Sequence, residues 1–211
     1  MVKPASDGHN GPMHTATPTA ADPPDRRLGT LLDECRQRPL WLFAYGSLVW
    51  KRGFPVSEER LARVHGWHRH FRMRSRVNRG TVEQPGLVLG LSPGGCCRGL
   101  VLRVPHEQAV PTLQALWLRE MPTGSYTPRW LRCETAGGAV RALAFTLDRH
   151  HPAHLGALDD ERLLHILRHA QGRYGRTLDY LLQTEEALRA HGIPDHGLER
   201  QVRLARRHGL C

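Results

Sequence analysis

The chain of 211 residues is long enough for one domain with a sizeable hydrophobic core, and 40% of its residues are hydrophobic. Its formal net charge of +10 comes from 30 Lys and Arg residues against 20 Asp and Glu. No run of about 18 apolar residues occurs, so we expect no membrane-spanning helix and no membrane partner. The five cysteines form no C-x-x-C pair, which predicts neither a disulfide framework nor a zinc site and favours a cytoplasmic protein.

The N-terminal segment, residues 1–27, is rich in Pro, Ala, Thr and Gly and lacks the apolar stretch of a secretory signal. This composition predicts a disordered extension over residues 1–27. Residues 28–211 are predicted to form a single domain. Its first element is a short helix over residues 28–38, which Pro39 ends.

Strand signals follow that helix, because clusters of Gly, Pro and Asn divide residues 40–105 into short apolar runs. The predicted strands are 40–45, 61–75, 87–91 and 99–104. A helix is predicted at 111–121, and a β-hairpin turns at Gly137 and Gly138. The strands of that hairpin are 129–134 and 139–147, and helices are predicted at 159–170, 177–191 and 198–208. Strands first and helices last indicate an α+β fold.

One carboxylate continues the apolar stripe of the helix at 111–121. Leu113, Leu116 and Trp117 have the i, i+3, i+4 spacing of a buried face, and the i+7 position is Glu120. Burial and the helix C-terminus both disfavour its charged form, so its pKa is expected to rise toward that of a working general base. The alternative is that the stripe ends one turn earlier and Glu120 is a solvated helix end.

A second candidate is the turn that ends the first strand. An apolar run leads into Tyr45, Gly46, Ser47 and Leu48. Gly46 permits the close backbone approach of a tight turn, where adjacent N–H groups form an anion-binding nest. The alternative interpretation is an ordinary junction between a strand and a turn.

These segments together resemble the γ-glutamylcyclotransferases, and most closely their ChaC-like, glutathione-acting branch. The resemblance runs from about Trp41 into the C-terminal helices and rests on an ordered set of motifs. The matching segments are 41–50, 66–69, 78–81, 84–86, 99–101, 116–121 and 124–126. Pro122 departs from the family pattern and makes an abrupt helix end after Glu120.

The resemblance implies a small, mixed, barrel-like β-sheet with helices around it. It also implies cleavage of glutathione to 5-oxoproline and Cys-Gly, in which the α-amine of the γ-glutamyl residue attacks its own side-chain carbonyl. In that family the loop corresponding to 45–48 cradles the γ-glutamyl group, and Glu120 corresponds to the general base. Whether the loop binds the carboxylate or the oxyanion is left open.

Arg79 and Tyr126 stand in matching segments and are expected to contact the substrate, with a surface arginine and a packed tyrosine as the alternatives. The reaction needs no cofactor and no metal, since the substrate carries its own nucleophile. The 14 histidines include the groups 65, 68, 70 and 150, 151, 154. Neither group has a recognised ligand spacing, so surface histidines are expected rather than a metal site.

Other functions remain to be distinguished. The same chemistry acting on other γ-glutamyl amino acids or amines is one, and a non-catalytic regulator that binds γ-glutamyl ligands is another, although the presence of Glu120 argues against it. The basic run 69–76 makes a nucleic-acid-binding module a further alternative. Its alternation instead predicts a strand with a solvated basic face, so no nucleic-acid partner is expected.

Overall fold

The structure is a computed structural model and describes residues 24–211. The predicted disordered extension falls almost entirely on residues 1–23, which lie outside the described residues. The first helix begins at Pro24 instead of residue 28. Within residues 24–211, none of the helices combines the length and apolar character needed to cross a bilayer.

Five strands close into a barrel in the order β1–β3–β2–β4–β5. They are β1 (Trp41–Ala44), β2 (Glu58–Ser75), β3 (Gly86–Arg103), β4 (Thr127–Thr135) and β5 (Gly138–Thr146). Strand β1 runs antiparallel to β3 and parallel to β5, and this parallel contact closes the barrel. The interior is apolar, with side chains such as Phe43, Leu100 and Leu143 almost fully buried. This architecture confirms the predicted α+β fold with a mixed barrel.

Strand β3 is longer than the sequence predicted. The segments 87–91 and 99–104 were expected to be separate strands, because Pro93, Gly94 and Gly95 lie between them. They form one strand of 18 residues, since the equally long β2 pairs with it along most of its length. The register shifts between His65 and Trp67, where Gly94 and Gly95 adopt positive φ angles. The glycines therefore make a bulge within the strand instead of ending it.

The helices surround the barrel and agree with the predicted positions to within a few residues. They are α1 (Pro24–Gln37), α2 (Ala109–Glu120), α3 (Asp160–His169), α4 (Thr177–Ala190) and α5 (His196–Arg207). Asp159 caps α3 by accepting a hydrogen bond from Arg162 N at 2.7 Å, as its sequence position predicts. Between α3 and α4 lies a hairpin that the sequence did not predict, formed by β6 (Gln171–Gly172) and β7 (Gly175–Arg176).

Candidate active site

Glu120 is the last residue of α2 and continues the buried face of that helix. Leu113, Leu116 and Trp117 are buried against the core, and the Glu120 side chain retains 16% of its exposure. Burial raises the pKa of Glu120 above its ordinary value, and the positive charge of Arg119 partly opposes that shift. The structure thus places a carboxylate of raised basicity where the apolar stripe predicted it.

Arg119 joins this carboxylate to the loop that follows β1. Its Nε lies 3.0 Å from Glu120 Oε1, and its Nη2 donates to Ser47 Oγ at 2.7 Å. Its Nη1 donates to the carbonyl oxygens of Lys51 at 2.7 Å and Arg52 at 3.4 Å. One planar guanidinium therefore fixes the loop and the carboxylate relative to each other, which a lysine ammonium cannot do in the same way.

The loop itself is the predicted Tyr-Gly-Ser-Leu turn. Residues Ser47–Val49 form a short 3-10 helix after β1. The N–H groups of Val49 and Trp50 are bound to the carbonyls of Gly46 and Ser47. Within residues 24–211, no group accepts a hydrogen bond from the backbone N–H groups of Gly46, Ser47 or Leu48. These donors remain available to a bound anion.

A small inner pocket of about 30 Å³ lies beside this loop, and Glu120 forms part of its wall. Three tyrosines complete the pocket, namely Tyr45, Tyr126 and Tyr180. Burial, helped by the nearby Glu120 carboxylate, raises the pKa of Tyr45 and Tyr126 well above the ordinary value, and burial raises that of Tyr180 to about 12. All three hydroxyls therefore stay protonated at neutral pH.

The three tyrosine hydroxyls differ in their hydrogen bonds. Tyr45 Oη donates to Phe145 O at 2.6 Å, and Tyr126 Oη donates to Leu89 O at 2.8 Å. Tyr180 Oη instead accepts from Leu89 N at 3.3 Å. Within the described part of the chain, no group accepts a hydrogen bond from the hydroxyl proton of Tyr180. This proton is thus a further donor beside the loop.

Gly46 lies directly against Tyr180. A Cβ built on Gly46 would lie 3.2 Å from Tyr180 Oη and 3.5 Å from Leu89 Cδ1. The absence of a side chain therefore lets the turn approach the tyrosine hydroxyl, and the loop and Tyr180 line the same pocket. The sequence predicted a close approach at Gly46, and the structure identifies Tyr180 as the group approached.

Glu120 also faces a larger cleft of about 220 Å³, which opens from the inner pocket toward the surface. Arg79 lines this cleft and is buried, with its guanidinium carbon 5.2 Å from the centre of the Tyr180 ring. Its Nη1 donates to Arg176 O at 3.3 Å. Burial lowers the pKa of Arg79, but an arginine remains charged at neutral pH. The alternative of a surface arginine is excluded by this position.

Arg79 is held in place by a close crossing of two backbone segments, 78–81 and 84–86. A Cβ on Gly86 would lie 2.0 Å from Arg79 O and 2.2 Å from Thr177 Oγ1, and one on Gly80 would lie 2.0 Å from Gly86 N. Thr177 Oγ1 also donates to Arg79 O at 2.8 Å. The glycines of segments 78–81 and 84–86 are therefore required for packing beside the site.

All the residues predicted for the site therefore gather around the two cavities. Those lining the inner pocket or the cleft are Tyr45, Gly46, Ser47, Leu48, Arg79, Glu120 and Tyr126. Sequence reasoning missed Tyr180 and the role of Arg119. Tyr180 lies on α4 as part of an ordinary apolar face, and nothing in its sequence neighbourhood marks it. Arg119 was part of a matching segment, but its four contacts depend on the folded loop.

The basic run 69–76 divides between interior and surface. Arg69 is nearly buried, with its Nε 2.8 Å from Asp195 Oδ2 and its Nη1 donating to Tyr45 O at 3.1 Å. Arg72 and Arg76 are exposed while Phe71 and Met73 are buried, as the alternation predicted. Within residues 24–211, no group of three or more His, Cys, Asp or Glu residues is arranged to hold a metal ion.

Comparisons with known proteins agree with this geometry. The family described as ChaC-like protein matches residues 40–208. A glutathione-specific γ-glutamylcyclotransferase from Escherichia coli (strain K12) is 36% identical over 167 residues, which are 78% of this chain and 72% of that protein. Glutathione-specific γ-glutamylcyclotransferase 1 from Rattus norvegicus is 32% identical over 158 residues, covering 72% and 71% of the two chains.

Among solved structures, a yeast γ-glutamyl cyclotransferase specific to glutathione superposes with a TM-score of 0.72. The match covers 81% of this chain and 96% of the yeast chain at 20% sequence identity, which supports the shared fold. The sequence match extends over the barrel, the loop after β1 and the helix that carries Glu120. The chain therefore belongs to the ChaC-like protein family.

Proposed function

We propose that this protein is a glutathione-specific γ-glutamylcyclotransferase that converts glutathione to 5-oxoproline and Cys-Gly. The observation that carries the proposal is the position of Glu120, a largely desolvated carboxylate between the small inner pocket and a cationic cleft. The curated relatives from E. coli and rat, which bear this activity in their names, support the choice of substrate.

In this reaction the substrate supplies both the nucleophile and the electrophile. The α-nitrogen of the γ-glutamyl residue forms a bond to the δ-carbon of the same residue, which closes a five-membered ring. The bond between that carbon and the cysteine nitrogen breaks, and Cys-Gly leaves as an amine. The protein must hold the chain in a bent, near-attack geometry, remove a proton from the α-ammonium and stabilise the oxyanion.

Glu120 acts as the general base in this proposal. The α-amine is mostly an ammonium at neutral pH and cannot attack until a proton is removed, and the raised pKa of Glu120 suits it to that transfer. Protonated Glu120 delivers this first proton to the departing cysteine nitrogen, so the carboxylate is regenerated. The regenerated carboxylate then takes the second proton from the ring nitrogen and passes it to the free amine of Cys-Gly, which becomes an ammonium.

The donors beside Glu120 are assigned to the oxyanion. The free N–H groups of the loop and the hydroxyl proton of Tyr180 belong to residues that line the inner pocket, and the δ-carbonyl is assigned to that pocket. Arg79, charged and buried in the wall of the cleft, is assigned to the α-carboxylate of the γ-glutamyl residue. Tyr126 shapes the pocket through its ring.

We place the activity in the cytoplasm. All five cysteines are free thiols, which is the state maintained where glutathione keeps thiols reduced. The experiment that tests the function is incubation of the purified protein with glutathione and with a panel of γ-glutamyl amino acids, followed by quantification of 5-oxoproline. Glutathione should be used far better than the panel. Comparable turnover of γ-glutamyl-alanine would overturn the glutathione specificity, and no product from any substrate would overturn the enzyme assignment.

A further inference from the structure

The cleft outside Glu120 carries more positive charge than the γ-glutamyl group needs. Its lining cations are Lys51, Arg74, Arg76, Arg79 and Arg119. Among the described residues, Glu120 is the one carboxylate that lines this cleft, and Arg119 is already paired with it. The outer part of the cleft therefore presents unneutralised cations to whatever occupies it, which favours an anionic group there.

Lys51 and Tyr174 meet at the mouth of this cleft. Lys51 follows the loop after β1, and Tyr174 stands on the hairpin between β6 and β7, whose backbone is tied to segment 77–78 by Tyr174 N donating to Asn78 O at 2.9 Å. Lys51 Nζ lies 4.6 Å from the centre of the Tyr174 ring. Within residues 24–211, no carboxylate forms an ion pair with Lys51. The ammonium therefore rests on an aromatic face, a contact weaker than a hydrogen-bonded pair with a carboxylate.

We propose that Lys51, supported by Tyr174 and Arg76, forms a second carboxylate subsite that binds the C-terminal carboxylate of the Cys-Gly half of glutathione. This inference rests on the proposed function. The inner pocket of about 30 Å³ is far smaller than the cleft of about 220 Å³, so the leaving dipeptide must occupy the cleft while the reacting carbonyl lies inside.

The reach of the substrate is consistent with this subsite. An extended dipeptide spans about 7 Å. The guanidinium of Arg119 contacts both Glu120 Oε1 at 3.0 Å and the Lys51 carbonyl at 2.7 Å, so the base and the Lys51 backbone are separated by a single side-chain group. Arg76 is exposed at the same cleft, and within the described residues its side chain has no hydrogen bond or ion pair. Binding of the carboxylate would move the Lys51 ammonium from the Tyr174 ring to the substrate. The subsite would therefore select γ-glutamyl peptides whose C-terminal carboxylate reaches Lys51.

The test combines a variant with a modified substrate. Glutathione is compared with its C-terminal carboxamide, which differs only in lacking the terminal negative charge. For the unaltered protein we expect kcat/KM to be about tenfold lower with the carboxamide, mostly through KM, since one charged contact is lost. For Lys51→Met, kcat/KM with glutathione should fall by a similar factor, and the carboxamide should be used about equally well.

Arg173→Gln is the matched control. Arg173 also stacks on Tyr174, with its guanidinium carbon 5.3 Å from the ring centre, but it does not line the cleft. This variant loses the same charge and should keep the preference for glutathione over the carboxamide. Lys51→Arg should also keep the preference for glutathione over the carboxamide.

The subsite would be overturned if Lys51→Met kept the preference for glutathione over the carboxamide, or if the unaltered protein lacked that preference. Either result would leave the cyclotransferase activity in place. A protein that forms no 5-oxoproline from glutathione would instead overturn the proposed function. Lys51 and Arg173 are both exposed, so the melting temperatures of all three variants should match that of the unaltered chain and exclude misfolding as the cause.

Discussion

The guanidinium of Arg119 donates a hydrogen bond to Ser47 Oγ at 2.7 Å and thereby connects the end of α2 to the loop after β1. The two residues are 72 positions apart in the chain. The same group carries the ion pair with Glu120. One side chain therefore contacts both the loop and the proposed base, and it positions the two parts of the site relative to each other.

The first prediction concerns Glu120→Gln. The amide keeps the size of the side chain and removes its basicity, so turnover of glutathione should fall by about 10²–10⁴-fold. Binding of glutathione should persist, because the loop donors and the cleft cations are unchanged. Both quantities are measured on one folded preparation, by 5-oxoproline formation and by calorimetry. Residual turnover within tenfold of the unaltered protein would exclude Glu120 as the base.

The second prediction is the pH dependence of kcat/KM. The carboxylate is the active form, so activity should decline as the pH falls through the pKa of Glu120, which burial raises above the ordinary 4.5. The charge of Arg119 lowers this pKa, so Arg119→Gln should move the acid limb to higher pH. Arg119→Lys retains the charge and should leave the limb near its original position while reducing kcat. Identical acid limbs in the unaltered protein and in both variants would show that the charge of Arg119 does not affect the pKa of Glu120.

The raised pKa of Glu120 also has a consequence for the stability of the protein. A carboxyl group with a raised pKa binds its proton more tightly in the folded state than in the unfolded state. The free energy of unfolding should therefore decline as the pH rises from about 4.5 through the raised value, and should remain constant above it. Glu120→Gln should remove this decline, as measured by urea denaturation across that pH interval. A difference between the two proteins that does not vary with pH would contradict the raised pKa.

The third prediction compares two tyrosines of the inner pocket. Tyr180→Phe removes the hydroxyl proton assigned to the oxyanion, and kcat should fall by about 10²-fold, the effect typical of losing one such donor. Tyr126→Phe loses a donor whose proton is already bound to Leu89 O, so kcat should fall by less than tenfold. Each variant leaves one Leu89 backbone group without its tyrosine partner, at a cost of about 1–3 kcal/mol in stability. Equal losses of kcat would show that the hydroxyl of Tyr180 acts only through packing.

The fourth prediction concerns the backbone crossing that holds Arg79. Gly86→Ala would place a Cβ 2.0 Å from Arg79 O, so the free energy of unfolding should fall by about 3 kcal/mol, the upper end of the usual range for overpacking. Glutathione affinity should fall with it because Arg79 is displaced. Gly29→Ala is the control, since a Cβ on Gly29 in α1 meets nothing within 4 Å and should stabilise the helix by about 0.5–1 kcal/mol. A neutral effect of Gly86→Ala would show that the crossing adapts easily.

The sequence predicted the parts of the site that depend on local patterns. Glu120 was identified because Leu113, Leu116 and Trp117 share its helical face, and the turn at 45–48 was identified because an apolar run ends at Gly46. The resemblance to a family supplied Arg79 and Tyr126. These assignments needed no knowledge of which strands pair.

The remaining features arise from contacts between distant parts of the chain. Tyr180 reaches the pocket because α4 packs on β3, and its position within α4 does not distinguish it from a core tyrosine. The hairpin that carries Tyr174 has two-residue strands, which are too short to show a periodicity. Strand β3 continues through Gly94 and Gly95 because β2 pairs with it on both sides of the bulge.

The position of Tyr180 on α4, late in the chain, also has a consequence for the protein during its synthesis. The loop, Arg79 and Glu120 all leave the ribosome before α4 does, but without Tyr180 the inner pocket lacks one wall and Leu89 N lacks its partner. A nascent chain that ends before α4 therefore has its proposed base and no complete pocket. We therefore expect the proposed activity to begin only after α4 has packed on β3.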